Sequence, residues 1–495
     1  MASTDDETIH VMFLPHMAPG HMIPMVDIAR LFAANDVEVT IITTTTNAIR
    51  FQNAIDRDVK AGRNIRLEII PFPFKDAGLP EGCENLISTA TPEMTIKLFH
   101  GIDMLRYQIE KLFRSRQPDC IVSDHLFPWT TDAAAELGIP RLAFSGSGFF
   151  NLCVTDSLER YQPHNNLKSD TSDNEEFVVP YLPDQVTLTR SQLPDIIKEK
   201  TKFSALFDKI KEAERKSFGV LMNSFYELEP AYADHFMKVT GMKAWHIGPI
   251  SLFNKDDDDK AERGDKSCVS RNRCLNWLDS KNPNSVLYIC FGSLVRFSKT
   301  QITEIASALE DSGHFFVWVV GKLLAREDEK DQQQESWLPE AFEDRIFESG
   351  RGLILRGWAP QVLILEHPAI GGFLTHCGWN SILEGLCAGV PMITWPIFAE
   401  QFNNEKLVTQ VLKVGVPVGN ETWRLWATGE SPLISREKIT RAVTAVMGAG
   451  DEPTEMRKRA SQLDKTAHKA IEECGSSYND MKSLIEEIRA HKPKG

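Results

Sequence analysis

Apolar residues come in two rhythms along this chain. Short β-branched and aliphatic runs, "IHVMFLP", "VEVTIITTTT", "NIRLEIIPF" and "DCIVSDHLF", are bounded by turn residues and read as strands. Stretches with helical spacing, such as "HMIPMVDIARLFAAN" and "TIKLFHGIDMLRYQIEKLF", lie between them. The pattern restarts with "SVLYICFGS", "FFVWVV", "GLILRGW", "IGGFLTH" and "VPMITWP", separated by helical stretches such as "KTQITEIASALEDSG". This alternation predicts parallel sheets covered on both faces, and two series of it predict two α/β domains with a cleft between them. The length agrees, since 495 residues exceed the roughly 250–300 at which one core stops growing.

Between the series, "HIGPISLFNKDDDDKAERGDKSCVS" replaces periodic apolar residues with Gly, Pro and charge, and reads as a linker over residues 246–270. The domains are then residues 1–245 and 271–478, followed by an amphipathic segment with a basic tail at 479–495. Four consecutive acids, Asp256 to Asp259, cannot all converge on one metal ion, so the run is expected to be solvated.

A net charge of −14 disfavours nucleic acid or an anionic membrane surface as partner. The first residues are acidic, unlike a secretory leader, and the longest weakly polar segment, around 142–154, is shorter than the roughly 20 residues of a membrane span. Nine scattered cysteines without metal-ligand spacing read as buried thiols in a reducing compartment. A cytoplasmic protein with no integral membrane segment is the expectation, and a monomer, since nothing resembles a coiled coil.

Open α/β sheets bind ligands at the carboxyl ends of their strands. "GGFLTH" ends a strand at His376, and "CGWNSILEGLCAG" continues into a helix with Asn380 and Ser381 near its start. A helix N-terminus is a natural phosphate site, and these side chains would add donors. The alternative is that Asn380 and Ser381 only cap the helix and His376 is an ordinary buried histidine. Glu384 lies one turn further on the same face, where a carboxylate could accept from ribose hydroxyls. Trp358, in the turn "RGWAPQ", offers an aromatic face to a base.

Residues 358–401, "WAPQVLILEHPAIGGFLTHCGWNSILEGLCAGVPMITWPIFAEQ", resemble the signature box of plant family 1 UDP-sugar-dependent glycosyltransferases along its whole length. The resemblance implies the GT-B architecture, two Rossmann-like domains facing a cleft, with the last helix packing back on the first domain. It also implies that Trp358 stacks on uracil and that Ala359 and Gln361 hold base and ribose, with Glu384 on the ribose. His376, Asn380, Ser381 and Ser293 of "CFGS" would hold the pyrophosphate, and Trp379, Glu400 and Gln401 would face the sugar. A glutamine at Gln401 accompanies UDP-glucose in similar enzymes, although an amide does not by itself exclude the 4-epimer. UDP-sugar is then a donor substrate, with no separate cofactor and no metal.

An acceptor alcohol is a weak nucleophile until a base removes its proton. "LPHMAPGHMIP" offers His16 and His21 after the first strand. Similar enzymes use the histidine of "GH", which falls on His21, and place the orienting carboxylate at Asp124 in "CIVSDHLFPW"; a helix cap is the other reading of Asp124. His16 is assigned a structural or acceptor-lining role, His125 an acceptor-lining one, and Ser145 a place near the donor sugar. Direct displacement by the activated hydroxyl would yield a β-glycoside with inverted configuration.

An NAD-dependent oxidoreductase would need GxGxxG after a strand, and the chain has none there. A non-catalytic UDP-sugar-binding protein would have no use for the His/Asp pair. "FPWTTD", "SGSGFFNLCV" and "LTRSQLPD" suggest aromatic and aliphatic walls for a lipophilic acceptor. The chain resembles the branch acting on triterpenoids, steroids and flavonoids, so a sapogenin or its glycoside is expected first, a flavonoid second.

Overall fold

β1 (His10–Leu14), β2 (Glu38–Thr44), β3 (Ile65–Ile70), β4 (Cys120–Asp124) and β5 (Arg141–Ser145) form in the first half of the chain, joined by helices such as Pro19–Ala33 and Thr45–Lys60. A computed structural model describes residues 8–89, 91–167, 173–201, 203–264, 271–320, 338–339, 341–425 and 432–492. β6 (Glu176–Val179) and β7 (Val186–Thr189) pair as a separate antiparallel hairpin, before β8 (Gly219–Met222) and β9 (Ala244–His246) return to the main sheet. That sheet runs β3-β2-β1-β4-β5-β8-β9 with every pairing parallel.

The second sheet is built from β10 (Val286–Cys290), β11 (Phe315–Val319), β12 (Gly352–Leu355), β13 (Ile370–Thr375), β14 (Met392–Thr394) and β15 (Gly415–Pro417). Its order, β12-β11-β10-β13-β14-β15, is again parallel throughout. β1, β4, β5, β10 and β13 are buried almost end to end, which is why their sequences show unbroken apolar runs instead of alternation.

In each sheet the strand order reverses beside the first strand, between β1 and β4 and between β10 and β13. Helices leave opposite faces of the sheet at such a point and open a crevice at the strand ends. Leu14 pairs with Ser123 there in the first sheet, and Cys290 with Thr375 in the second. One apolar cluster then joins the two halves, running from Phe149 and Met222 to Tyr288, Phe373 and Trp379.

The segment read as a linker is more ordered than its composition suggests. His246 is the last residue of β9, and the helix Asp257–Glu262 follows a short turn at Ile250–Phe253. The expectation that the acidic run is simply solvated fails at Asp259. Its side chain is 10% exposed and accepts from Arg30 Nη2 at 2.6 Å and from Arg57 Nε at 2.8 Å. Helix formation turns one of the four carboxylates inward onto the buried Arg30 and the half-buried Arg57, which a count of charges does not reveal. Residues 265–270 lie outside the described residues.

The last helix, Ser476–His491, lies against β9 and sends Met481, Leu484, Ile485 and Ile488 into the first domain's core. Each of these burials contributes on the order of 1.5–3 kcal/mol, and Asp480 adds an anchor by accepting from the His246 backbone N–H at 2.8 Å. The cysteines are mostly buried as expected, but Cys474 is exposed and Cys290 half-buried. Cys268 lies outside the described residues. Among the described residues, no helix is long and apolar enough to cross a membrane.

Candidate active site

The strand ends of both sheets face a common cleft of about 1160 Å³. That exceeds the roughly 300–1,000 Å³ of a pocket for one small ligand, and fits two substrates side by side. His21 enters it from the first turn of the helix Pro19–Ala33, after β1, and Asp124 is the last residue of β4. Adjacency of β1 and β4 brings them together: His21 Nδ1 lies 2.7 Å from Asp124 Oδ2. Asp124 is fully buried and His21 about a quarter exposed, at 27%. The other oxygen, Oδ1, accepts from the Leu126 N–H at 3.0 Å, so the carboxylate is held at both oxygens, while Arg141 Nη2 donates to the Asp124 backbone carbonyl.

Burial opposes charge on His21, yet the Asp124 carboxylate, its hydrogen bond and the charge of Glu400 together raise the ring's pKa. Asp124 suffers the same desolvation, but His21, reinforced by His125 and His16, holds its carboxyl well below the usual range. With Nδ1–H committed to Asp124, Nε2 is the ring nitrogen left for a substrate proton. His16 is different. Burial pushes its pKa down to about 3, and its Nδ1 has no partner, so it stays neutral and is a poor base. His125 stands with its ring centre 6.0 Å from that of His21 and also lines the cleft.

Across the cleft, His376 follows β13 and faces Gly292, in the turn after β10. A Cβ on Gly292 would lie 2.7 Å from His376 Cε1, so only glycine, here at φ +72°, lets the ring occupy this place. Burial lowers His376 to about 4, leaving a neutral imidazole whose Nδ1 has no partner within the protein. Ser293 lines the cleft beside it. The helix Trp379–Cys387 starts here, with Gly378 as its cap residue and no side-chain cap bond. Asn380 and Ser381 therefore do not serve as its caps. Asn380 Nδ2 instead donates to the Gly20 carbonyl at 2.9 Å, and Ser381 Oγ accepts from Gln361 Nε2 at 3.1 Å.

Gln361 is the hub of a polar chain. Its Oε1 accepts from the buried Tyr288 hydroxyl at 3.2 Å, and its Nε2 also donates to Glu384 Oε2 at 2.7 Å. Trp358 and Ala359 line the cleft beside it. Trp358 Nε1 donates to the Arg263 carbonyl at 3.0 Å, a link to the linker that sequence reading did not anticipate.

Trp379 also lines the cleft, but its indole is committed to the domain contact. Nε1 donates to the Asn223 carbonyl at 2.8 Å, and the ring packs on Gly148, where a Cβ would lie 2.5 Å away. Gln401 Oε1 accepts from the Ile397 and Phe398 N–H groups at 2.9 and 3.1 Å. Only the amide N–H₂ is left for a ligand, so the residue acts toward the cleft as a donor. Burial raises the Glu400 carboxyl pKa, and Asn404 Nδ2 donates to it at 3.3 Å. Ser145 ends β5, buried, with its hydroxyl 3.3 Å from that of Ser147.

The remaining wall of the cleft is largely apolar, including Leu86, Phe99, Leu152, Ile197, Phe203 and Phe207. The aromatic walls expected from "SGSGFFNLCV" are misplaced. Phe149 and Phe150 are fully buried core residues packed on Phe236 and Tyr232, because the helix they begin turns that face inward. Sequence reasoning also missed Arg263, Asp27 and Asn223. The short string "AERG" after the acidic run was the one available signal for the first.

Two parallel sheets that both bring a switch point to one cleft, with a helix N-terminus and a neutral histidine on one side and a His/Asp pair on the other, make the architecture of a two-domain α/β enzyme. The model of the family "UDP-glucoronosyl and UDP-glucosyl transferase" matches residues 265–420. A UDP-glucose flavonoid 3-O-glucosyltransferase from Fragaria ananassa is 49% identical, with 99% of this chain and 98% of that protein covered. A soyasapogenol B glucuronide galactosyltransferase from Glycine max is 48% identical over 97% of this chain and 95% of its own length. The crystal structure of Glycyrrhiza uralensis UGT73P12 complexed with glycyrrhetinic acid 3-O-monoglucuronide superposes with a TM-score of 0.91 at 46% identity, covering 98% of this chain and 96% of that one. The chain belongs to the plant family 1 UDP-glycosyltransferases, and its fold is GT-B.

Proposed function

We propose that this enzyme transfers glucose from UDP-glucose to a hydroxyl of a lipophilic plant metabolite, with inversion and without a metal, as a monomer. The observation that carries the proposal is the 2.7 Å contact of His21 Nδ1 with Asp124, which leaves Nε2 as base in a cleft with one apolar wall. His21 takes the proton of the acceptor hydroxyl, Asp124 stabilises the imidazolium, and the oxygen attacks the anomeric carbon opposite the leaving UDP. His376, Asn380, Ser381, Ser293 and the N-terminus of the helix Trp379–Cys387 meet the charge developing on the diphosphate. His376 contributes an N–H dipole there, since burial keeps it neutral.

Trp358, Ala359, Gln361 and Glu384 hold the uridine, and Trp379, Glu400, Gln401 and Ser145 surround the hexose. A triterpenoid or steroid sapogenin, or its glycoside, is the first acceptor class, supported by the apolar wall and by relatives whose names carry sapogenol and glycyrrhetinic acid glucuronides. A flavonoid is the second, supported by the strawberry relative. The test is product mass spectrometry with UDP-glucose, UDP-galactose and UDP-glucuronic acid against a panel of sapogenins, their glycosides and flavonoids, with and without EDTA. Hexose transfer to a sapogenin or its glycoside from UDP-glucose in EDTA is expected. Preferred use of UDP-galactose, or activity lost to the chelator and restored by Mn²⁺, would overturn the donor or the metal part respectively.

A further inference from the structure

The described part of the linker reaches the donor half of the cleft, which Lys260 and Arg263 help to line. Its helix Asp257–Glu262 is held to the first domain through Arg30 and Arg57, and to the second through Lys260, which lies 2.7 Å from Glu366. The next residue, Arg263, places its guanidinium between two carboxylates from different domains. Nε donates to Asp27 Oδ2 at 2.7 Å, and Nη1 donates to Glu384 Oε1. The side chains of Arg263, Asp27 and Glu384 are only 9, 7 and 6% exposed. Gly264, at φ +90°, follows so closely under Trp358 that a Cβ would lie 2.6 Å from Cζ2 of its ring.

We propose that Arg263 is a positioning residue of the nucleoside site: it fixes the Glu384 carboxylate in the orientation that receives the donor's ribose hydroxyls, while its carbonyl steadies the Trp358 ring. The inference rests on the reading of Glu384 and Trp358 as ribose and base contacts. Each Glu384 oxygen has one protein donor, Arg263 on Oε1 and Gln361 on Oε2, which leaves acceptor capacity on both for a pair of vicinal hydroxyls. A carboxylate anchored at both oxygens need not be ordered when the ligand arrives, and saved ordering appears as affinity. Asp27 sits on the helix that also carries His21, so the same guanidinium ties the nucleoside grip to the element bearing the base.

The experiment measures dissociation constants of UDP and 2′-deoxy-UDP by calorimetry for full-length wild type, Arg263→Met and Arg263→Lys, alongside thermal melts. Wild type is expected to prefer UDP by about tenfold or more, the usual size of a hydrogen bond to a charged group. Arg263→Met is expected to lose most of this preference, with donor KM raised and acceptor KM unchanged; Arg263→Lys retains part of it and answers the question should the Met variant fail to fold. A general structural role would weaken both ligands equally and leave the ratio intact, which would overturn the proposal. Tighter UDP binding by Arg263→Met would overturn it too, making Arg263 a competitor for the ribose place. Failure of wild type to bind UDP at all would instead sink the nucleotide-site reading beneath it.

Discussion

His21 and Asp124 meet at 2.7 Å across 103 residues of chain, while His16, its ring centre only 5.6 Å from that of His21, has a buried Nδ1 with no partner. The two imidazoles share a loop, yet their environments drive them in opposite directions. Burial dominates at His16; at His21 the Asp124 and Glu400 charges outweigh it. Of the pair, only His21 is basic enough to accept a proton from an alcohol.

Activity should therefore depend on pH in a defined direction. A base works unprotonated, so kcat/KM is expected to rise with pH through the His21 pKa, which lies above its ordinary 6.5. Asp124→Asn removes the charge that raises it and leaves burial, which lowers it, so the acid limb should move to lower pH. The same substitution should cut kcat by about 10²–10⁴-fold, and His21→Ala by at least as much, with UDP affinity retained in both. Rate profiles over pH 5–9, roughly the span in which histidine titrates, check this. An acid limb unmoved in Asp124→Asn would assign it to another group.

Gln401 separates a structural from a donor-facing role within one amide. Gln401→Ala leaves the Ile397 and Phe398 N–H groups without their acceptor and should cost about 1–3 kcal/mol of stability by denaturant unfolding. Gln401→Glu keeps an acceptor for them but removes the N–H₂ donor. It should fold normally and bind UDP normally, with KM for UDP-glucose raised by about 2–10-fold. A KM unchanged in Gln401→Glu would remove the residue from the sugar site.

Gly292 tests the seat of His376. An alanine there is strained by about 1–2 kcal/mol at φ +72°, and its methyl would meet the imidazole at 2.7 Å. The ring must shift, so Gly292→Ala is expected to weaken UDP binding while leaving uridine binding close to wild type. Calorimetry with both ligands distinguishes this from general damage.

Legibility in the sequence followed the physics of each element. Strands such as "CIVSD" and "IGGFLT" were plain because burial on both faces demands unbroken apolar runs. The ends of those strands then pointed to Asp124 and His376, since the crevice of an open parallel sheet must form there, whereas the choice of His21 over His16, which lies nearer its strand end, rested on the resemblance to enzymes that use the histidine of "GH". Arg263 was invisible for the opposite reason. A single cation in a charged segment carries no period, and its partner Asp27 is 236 positions away. Phe149 and Phe150 misled because an aromatic pair beside a Gly-Ser loop reads the same whether it faces a ligand or a core. The hairpin β6–β7 went unread, being short and lying between segments of mixed character.

The acidic run provides the sharpest contrast between sequence and structure, and a direct test of it. Asp256 precedes the helix Asp257–Glu262 and is exposed, whereas Asp259 bonds Arg30, whose guanidinium also bonds Asp58 and Asn254. Asp256→Asn keeps a good cap residue and should change stability by less than about 0.5 kcal/mol. Asp259→Asn should cost about 1.5–3 kcal/mol, the range for a hydrogen bond to a charged group, with Asp58 still supporting Arg30. Burial works against the Asp259 charge, but its bonds to Arg30 and Arg57 lower the pKa below the ordinary 3.8. A depressed carboxylate stabilises the fold above its unfolded pKa and loses that contribution as pH falls through its folded value. The gap between wild type and Asp259→Asn should therefore be full at neutral pH and narrow only below about pH 4. Equal losses from both substitutions would mean that the run acts as one solvated block after all.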